Sequence, residues 1–245
     1  MRIHRFFHSG PLVIGEEVIL NASASRHAGQ ALRLRENQII YVFDGQGCEF
    51  EASIISARRQ LKIKINRSII PVSKSSLSIH LGQCISRGDR MDYAIQKACE
   101  LGVESITPLI SQHCQLKVDP ERLTKKHRHW LGVIISACEQ CGRADVPKLY
   151  EAEPLAAWLH DQPTDTWVCV TQNKNTLSPE HPKGPLRLCI GPEGGFAESE
   201  LDLVRNLDLH ALGLGPRILR TETATTVALT LMQANWGDLC YAPSE

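Results

Sequence analysis

Leu186–Phe196 reads LRLCIGPEGGF and Leu212–Ala224 reads LGLGPRILRTETA. In each stretch a short apolar run breaks at Gly and Pro and then gives way to a helical pattern. α/β proteins open a crevice in this way at the carboxyl ends of parallel strands. Gly191, Gly194, Gly195, Gly213 and Gly215 permit positive φ and close approach of a ligand to the backbone, while Pro192 and Pro216 stiffen their turns. The NH groups of such turns suit an adenosine or a carboxylate. GPEGG lacks the GK[ST] ending of a phosphate-cradling loop, and no G-x-G-x-x-G opens a helix. Nucleoside triphosphates and dinucleotides therefore lose their main sequence support.

Working outward, the pattern around these segments alternates strand and helix. Leu77–Cys84 and Ser105–Leu109 read as strands, with an amphipathic helix over Asp89–Leu101 that ends at Gly102. A long helix follows from Pro120 to about Gly142, with Asp119 as its N-cap, and Asp89 is the expected cap of the earlier helix. Strands at Trp167–Thr171, Arg187–Ile190 and Ala211–Leu214 and helices at Glu198–Leu207 and Glu222–Trp236 complete an α/β layer architecture. The first part is different. It offers short strands at Ile3–Phe7, Glu17–Leu20, Gln38–Phe43, Glu49–Ile55 and Leu61–Asn66, the signature of a small β-barrel. The polar stretch SKSS after Pro71 marks the boundary, giving domains of residues 1–72 and 73–245.

The 245 residues are 42% hydrophobic and 22% charged, an ordinary globular composition. A polar, basic N-terminus and the lack of any span-length apolar run argue against a signal peptide or a membrane segment, so a cytoplasmic protein is expected. Nine irregularly spaced cysteines fit reduced thiols. Cys138-x-x-Cys141 has no second C-x-x-C and sits in a helical pattern, so neither metal nor redox chemistry is expected of it. The net charge of zero hides an asymmetry: +5 over residues 1–75, +2 over 76–148 and −7 over 149–245. A basic first half suits RNA, and equally suits plain solvated surface.

IGPEGG at Ile190–Gly195, LGPRILRTETA at Leu214–Ala224, SRGDRMDYAIQKACELGV at Ser86–Val103 and ACEQCGR at Ala137–Arg143 together resemble the RsmE family of 16S ribosomal RNA uracil N3-methyltransferases, in the SPOUT superfamily. The resemblance runs from MRIHRFF at the start to LMQANWGDL near the end. It implies a C-terminal SPOUT-type trefoil-knotted α/β domain, an N-terminal PUA-like β-barrel that binds RNA, and a homodimer. It further implies S-adenosyl-L-methionine as cofactor and methylation of N3 of a uridine in the decoding region of 16S rRNA in the small subunit. The competing readings are a non-catalytic RNA-binding or ribosome-assembly factor and a SPOUT enzyme acting on another RNA.

Methylating uridine N3 requires loss of the imide proton and stabilisation of the resulting anion. Arg220 and Glu222 are the catalytic candidates. Arg220 stays protonated, so its work is to orient the uracil carbonyls or a phosphate. Glu222 either accepts a proton or a ribose hydroxyl, or stabilises the start of its helix without catalysis. The family pattern implies Gly191, Glu193, Gly194, Gly195, Leu214, Gly215, Leu219 and Thr221 as cofactor-pocket positions, with Ile190 and Ile218 as apolar walls. Val170, Thr171 and Gln172 are expected at a third edge. Glu193 either contacts the cofactor or ties its own loop. Candidate RNA contacts are Arg5, Arg26, Arg33, Arg35, Arg87, Arg90 and Arg143, with His8 and His27 beside them; for Arg143 the alternative is capping its helix end. Val227, Leu231 and Ala234 belong either to a dimer contact or to the core.

Overall fold

The computed structural model describes residues 3–72, 74–114, 119–161, 165–171, 177, 180, 182 and 184–239, with only the backbone of Gln30. The chain divides into two compact units, Met1–Lys74 with Ile135–Val146, and Ser75–Ile134 with Pro147–Glu245. The return of Ile135–Val146 to the first unit is invisible in the linear pattern.

In the first unit, β1 (Arg5–Phe7), β2 (Glu17–Ile19), β3 (Ile39–Phe43), β4 (Glu49–Ser56) and β5 (Lys62–Ile69) form one sheet in the order β1-β3-β4-β5-β2. Only the β1–β3 pair is parallel. Period-2 alternation buries Ile40 and Val42, Ala52 and Ile54, and Ile63 and Ile65 on one face. Register shifts in the β4–β5 ladder between Glu51 and Ala52 and between Ile54 and Ser56 bend the sheet. The expected small β-barrel takes the form of a curled sheet, a half-barrel whose path ends at β1 and β2. The pattern also gave no helix after β2. The structure places α1 (Ala22–Arg26) there, capped by Asn21 accepting from the Ala24 N–H at 2.8 Å, and continues it into one π-helical turn, His27–Ala31.

Arg5 locks this unit from within. Its Nε donates to Glu49 Oε1 at 2.6 Å, Nη1 to the Cys138 carbonyl at 2.6 Å and Nη2 to the Arg143 carbonyl at 3.2 Å, and the guanidinium lies 4.8 Å from the Phe43 ring centre. Arg143, 8% exposed, pairs with Asp145 at 2.5 Å. Neither guanidinium faces solvent, which corrects the expectation of RNA contacts for both. A buried cation is tolerable only when its donors are satisfied, and here carbonyls and carboxylates satisfy them.

The second unit carries β6 (Ile79–Cys84), α2 (Asp89–Glu100), β7 (Ser105–Ile110), α3 (Pro120–Cys141, whose residues from Ile135 on belong to the first unit), β8 (Lys148–Leu149), β9 (Glu153–Pro154), α4 (Leu155–His160), β10 (Asp165–Cys169), β11 (Leu186–Ile190), α5 (Glu198–Asn206), β12 (His210–Leu212) and α6 (Thr221–Trp236). Its seven strands are all parallel, in the order β12-β10-β11-β6-β7-β8, with β9 also on β7. The central strands are buried on both faces, so β11 reads as a mostly apolar run rather than an alternation. Arg187 interrupts that run, but its guanidinium lies 3.7 Å from the Trp158 ring centre and donates to the carbonyls of Trp158 and Asp161. A Cβ on Gly82 would sit 2.7 Å from the Trp158 ring, so only glycine lets α4 pack on β6 there. The cap expected at Asp89 falls instead at Gly88, at φ +51°, with Asp89 inside the first turn.

A buried polar network joins β6, the end of β11 and α6. Gln83 Nε2 donates to Thr221 Oγ1 at 3.1 Å and to the Cys84 carbonyl at 3.2 Å. The Thr221 hydroxyl donates in turn to the Gly191 carbonyl at 2.7 Å. The Thr225 hydroxyl lies 2.6 Å from Gln83 Oε1 and 2.9 Å from the Thr221 carbonyl. Both Gln83 and Thr225 are fully buried. Thr225→Val is expected to keep the side-chain shape but strand Gln83 Oε1, costing about 1–3 kcal/mol of unfolding free energy in urea titrations.

His80 on β6 gives a second expectation. It bonds Thr107 Oγ1 at 2.7 Å and stacks on Tyr150, with Trp158 edge-on. Burial, and then the nearby Arg187 charge, pull its pKa from 6.5 down to about 4. Between those values the unfolded chain binds a proton that the folded chain refuses, so stability falls as pH drops from about 6.5 towards 4. Tm measured across that interval should decline more steeply in the wild type than in His80→Asn.

Candidate active site

The carboxyl ends of β10 and β11 and the start of α6 surround a cavity of about 640 Å³. Its wall begins at Cys169, Val170 and Thr171 after β10, where burial pushes the Cys169 thiol up to about 12 and keeps it a neutral surface. Ile190 and the GPEGG turn after β11 follow, closed by the Gly195 N–H donating to the Pro192 carbonyl at 3.0 Å. Gly195 takes φ +71°, in the left-handed region. The third side is Ile218, Leu219, Arg220 and Thr221, with Ala224 one turn into α6.

Glu193 lines the cavity and also bonds outside its own turn. Its Oε1 accepts from the Arg87 backbone N–H at 3.0 Å and from Arg90 Nη1 at 3.4 Å, so it ties the glycine turn to the start of α2. On the other side the segment after β7 braces the same turn. His113 Nδ1 lies 3.0 Å from the Gly195 carbonyl and acts as the donor there, and the Gln112 N–H donates to Glu200 Oε1 at 2.8 Å. Glu200 also accepts from the Ala197 N–H at 2.8 Å, capping α5. A glycine-rich turn has little side-chain packing of its own, and these carboxylates and the histidine hold it in one shape.

The structure brings together Val170, Thr171, Ile190, Gly191, Glu193, Gly194, Gly195, Ile218, Leu219, Arg220 and Thr221 on one cavity wall. Leu214 and Gly215 do not line it. Gly215, at φ +94°, turns the segment so that Ile218 and Leu219 reach the wall instead. Glu222 does not line it either. Its Oε2 is buried and has no hydrogen-bond partner among the described residues. Gln172 lies outside the described residues. Arg220 is exposed, and among the described residues its guanidinium makes no ion pair or hydrogen bond. Arg90 joins the cavity wall from α2, and Arg87 is exposed beside it. Arg26, Arg33 and Arg35 are exposed in the first unit, with Arg33 at φ +51°; His27 is exposed and His8 half-buried.

Phe196, Leu201 and Arg205 also line the cavity and were missed in the sequence. The signal for Phe196 lay in GPEGGF itself: a Cβ on Gly191 would come within 3.1 Å of the Phe196 ring, so the ring fills the space that the glycine leaves. Arg205 carries no such signal, and its head is engaged by Glu198 at 2.9 Å and Asp202 at 2.6 Å. Among the described residues no group of three or more His, Cys, Asp or Glu side chains could hold a metal ion, and no helix is long and apolar enough to cross a membrane.

Comparison with known proteins places this architecture. An RNA methyltransferase domain matches residues 73–233, and an RNA methyltransferase PUA domain matches residues 20–66. Ribosomal RNA small subunit methyltransferase E of Buchnera aphidicola subsp. Schizaphis graminum is 34% identical over 242 residues, covering 97% of this chain and 98% of the relative. The protein of the same name from Bacillus subtilis is 27% identical over 233 residues, covering 89% and 87%. The crystal structure of a ribosomal RNA small subunit methyltransferase E from Neisseria gonorrhoeae, bound to S-adenosyl methionine, superposes with a TM-score of 0.90 at 35% identity, over 97% of this chain and 100% of that one. With a glycine-walled cavity at the strand ends, a curled sheet ahead of it and full-length relatives of one name, this chain belongs to the ribosomal RNA small subunit methyltransferase E family of RNA methyltransferases.

Proposed function

We propose that this enzyme uses S-adenosyl-L-methionine to methylate N3 of a uridine in the decoding region of 16S rRNA, with the assembled small subunit as substrate. The observation that carries the reading is the cavity of about 640 Å³ walled by Gly191, Gly194 and Gly195. It is large enough for an adenosine and an amino-acid tail, and cavities of roughly 300–1,000 Å³ serve ligands of that size. Its composition suits the cofactor. Val170, Ile190, Ile218 and Leu219 offer apolar surface for an adenine, and the glycine turn presents backbone groups close to the ligand. When bound, the cofactor supplies an electrophilic methyl group on a sulfonium, which needs no Lewis acid.

The protein must hold the acceptor and ease loss of its N3 proton. Arg220 suits both tasks: its guanidinium is unengaged, lines the cavity and is followed by the α6 start that the Thr221 network holds. Two N–H donors aimed at a carbonyl oxygen beside N3 favour the uracil anion, and a preorganised donor of this kind is worth about 3–4 kcal/mol in the transition state. Arg90 on the cavity wall and Arg87, exposed three residues before it, supply cations for the flanking backbone phosphates, and Arg26, Arg33 and Arg35 supply more from the first unit. The same reading includes the trefoil knot, a homodimer and a cytoplasmic setting. Support for the dimer is that Leu231 and Ala234 face outward from α6, with Leu231 38% exposed.

Incubated with radiolabelled S-adenosylmethionine and small subunits from a strain lacking the enzyme, the protein should place one methyl group on uridine N3 of 16S rRNA, located by nuclease digestion and mass spectrometry. Arg220→Ala should lower that rate by about 100-fold or more. Label on another base or another RNA would overturn the target. In calorimetric titrations Gly191→Leu should weaken cofactor binding by at least about tenfold, because its side chain enters the space of Phe196 and the cavity; unchanged affinity would remove the cavity from the cofactor's path.

A further inference from the structure

A second cavity, of about 700 Å³, lies in the first unit between α1 and the turn that joins β4 to β5. None of its lining residues belongs to the glycine-walled cavity. Three arginines line it, Arg26 at the end of α1 and Arg58 and Arg59 in the turn. Among the described residues lining it none is acidic. All three arginines are exposed, and among the described residues none makes an ion pair or a hydrogen bond. Arg67, Arg122 and Arg205 are instead paired, with Glu51, with Asp119, and with Glu198 and Asp202, whereas Arg33, Arg35, Arg128, Arg217 and Arg220 share the unpaired state among the described residues without lining this hollow. Three like charges around one hollow, with no counter-charge, repel one another unless an anion enters.

The cavity is also held in shape. The Ser25 hydroxyl accepts from the Leu61 N–H at 2.9 Å, and the Leu20 N–H donates to the Leu61 carbonyl at 2.9 Å, so the far side of the arginine turn is pinned to both ends of α1. Directly after Arg26 the helix widens into its π turn, closed by the Leu32 N–H on the His27 carbonyl at 3.0 Å. Such turns are uncommon and concentrate at functional sites. Gly29 seats that turn against β4's exit, where a Cβ would meet the Ala57 carbonyl at 3.3 Å. Leu20, Ala22 and Ala57 give the hollow an apolar floor.

We propose that this cavity is a nucleotide subsite for the RNA substrate, in which Arg26, Arg58 and Arg59 grip the phosphodiester backbone and the apolar floor receives a base. The inference rests on the chain being an RNA methyltransferase and adds a defined place for the RNA. Guanidinium groups suit both tasks, since they fork onto phosphate oxygens and stack on the faces of unpaired bases. A subsite distinct from the methyl-transfer cavity lets affinity for RNA be set independently of the chemistry.

The test uses the full-length protein and filter binding to small subunits from a strain lacking the enzyme, over about 50–200 mM salt. Arg58→Gln/Arg59→Gln should raise Kd about tenfold at the lower salt and flatten the slope of log K against log salt by roughly 1.5, the loss of two phosphate contacts. Lys64→Gln/Arg67→Gln, which removes the same charge from β5, should leave both within about twofold of wild type. Unchanged calorimetric affinity for S-adenosylmethionine shows that each variant is folded. A wild-type slope in Arg58→Gln/Arg59→Gln, or an equal loss in the β5 variant, overturns the subsite. If the wild type methylates some other RNA, the same slopes measured on that RNA decide the subsite, and only the 16S target falls.

Discussion

The hydrogen bond from the Thr221 hydroxyl to the Gly191 carbonyl, backed by Gln83, is the constraint on which the active site depends. It joins the two glycine-bearing segments, which are otherwise turns with little packing of their own. Gln83 is fully buried and sits 138 residues from Thr221 in the chain, so a polar group placed in the middle of an apolar strand has a partner only when both segments are in place. Burying an amide without partners is costly, and this cost makes the arrangement selective: alternative placements of α6 would strand Gln83, Thr221 and Thr225 together. The start of α6, and with it Arg220, is thereby set against the cavity.

Charge is sorted by the same logic. Arg5, Arg143 and Arg187 point inward, each spending its donors on carbonyl oxygens or carboxylates, and the backbone around them is organised by those bonds. Arg26, Arg58, Arg59 and Arg220 point outward and make no ion pair among the described residues. Both groups are arginines in a chain of zero net charge. The inward set contributes to folding and is unavailable to a ligand, while the outward set carries a field that an RNA backbone would complete. Glu193 stands between the two roles: it neutralises part of Arg90 and, in doing so, braces the turn that lines the cavity.

The glycine turn itself is soft, so its shape is imposed by neighbours. Glu193 pulls it towards α2, and His113 holds it from the segment after β7. Phe196 fills the volume that Gly191 leaves open. The cavity is thus lined by β10's exit, the β11 turn, the α6 start, α5 and Arg90 of α2, with the segment after β7 bracing the turn, all positioned by a parallel sheet whose central strands are buried on both faces.

Local pattern was enough to place most strands and helices, because apolar periodicity, Gly/Pro breaks and the Asp119-Pro120 start act over a few residues. It also marked the two glycine-bearing segments as crevice formers, since both lie where a strand hands over to a helix, while the individual positions Ile218 to Thr221 came from the family resemblance. It missed α1 with its π turn and the short α4, whose amphipathic patterns span too few residues to stand out. It could not tell Arg5 from Arg26, since both are basic residues near an aromatic or histidine, and it put Glu222 in the site on proximity to Arg220 alone. Those distinctions were made by the tertiary structure. Arg5 is held inward by carbonyls from residues 138 and 143, and Glu222 has a buried carboxylate oxygen, unpartnered among the described residues, and does not line the cavity. The sequence by itself determined which segments form the crevice and which family the chain resembles; which charges remain free to act was decided by tertiary contacts, from Asp145 beside Arg143 to the carbonyls 133 and 138 positions from Arg5, whose burial no local pattern records.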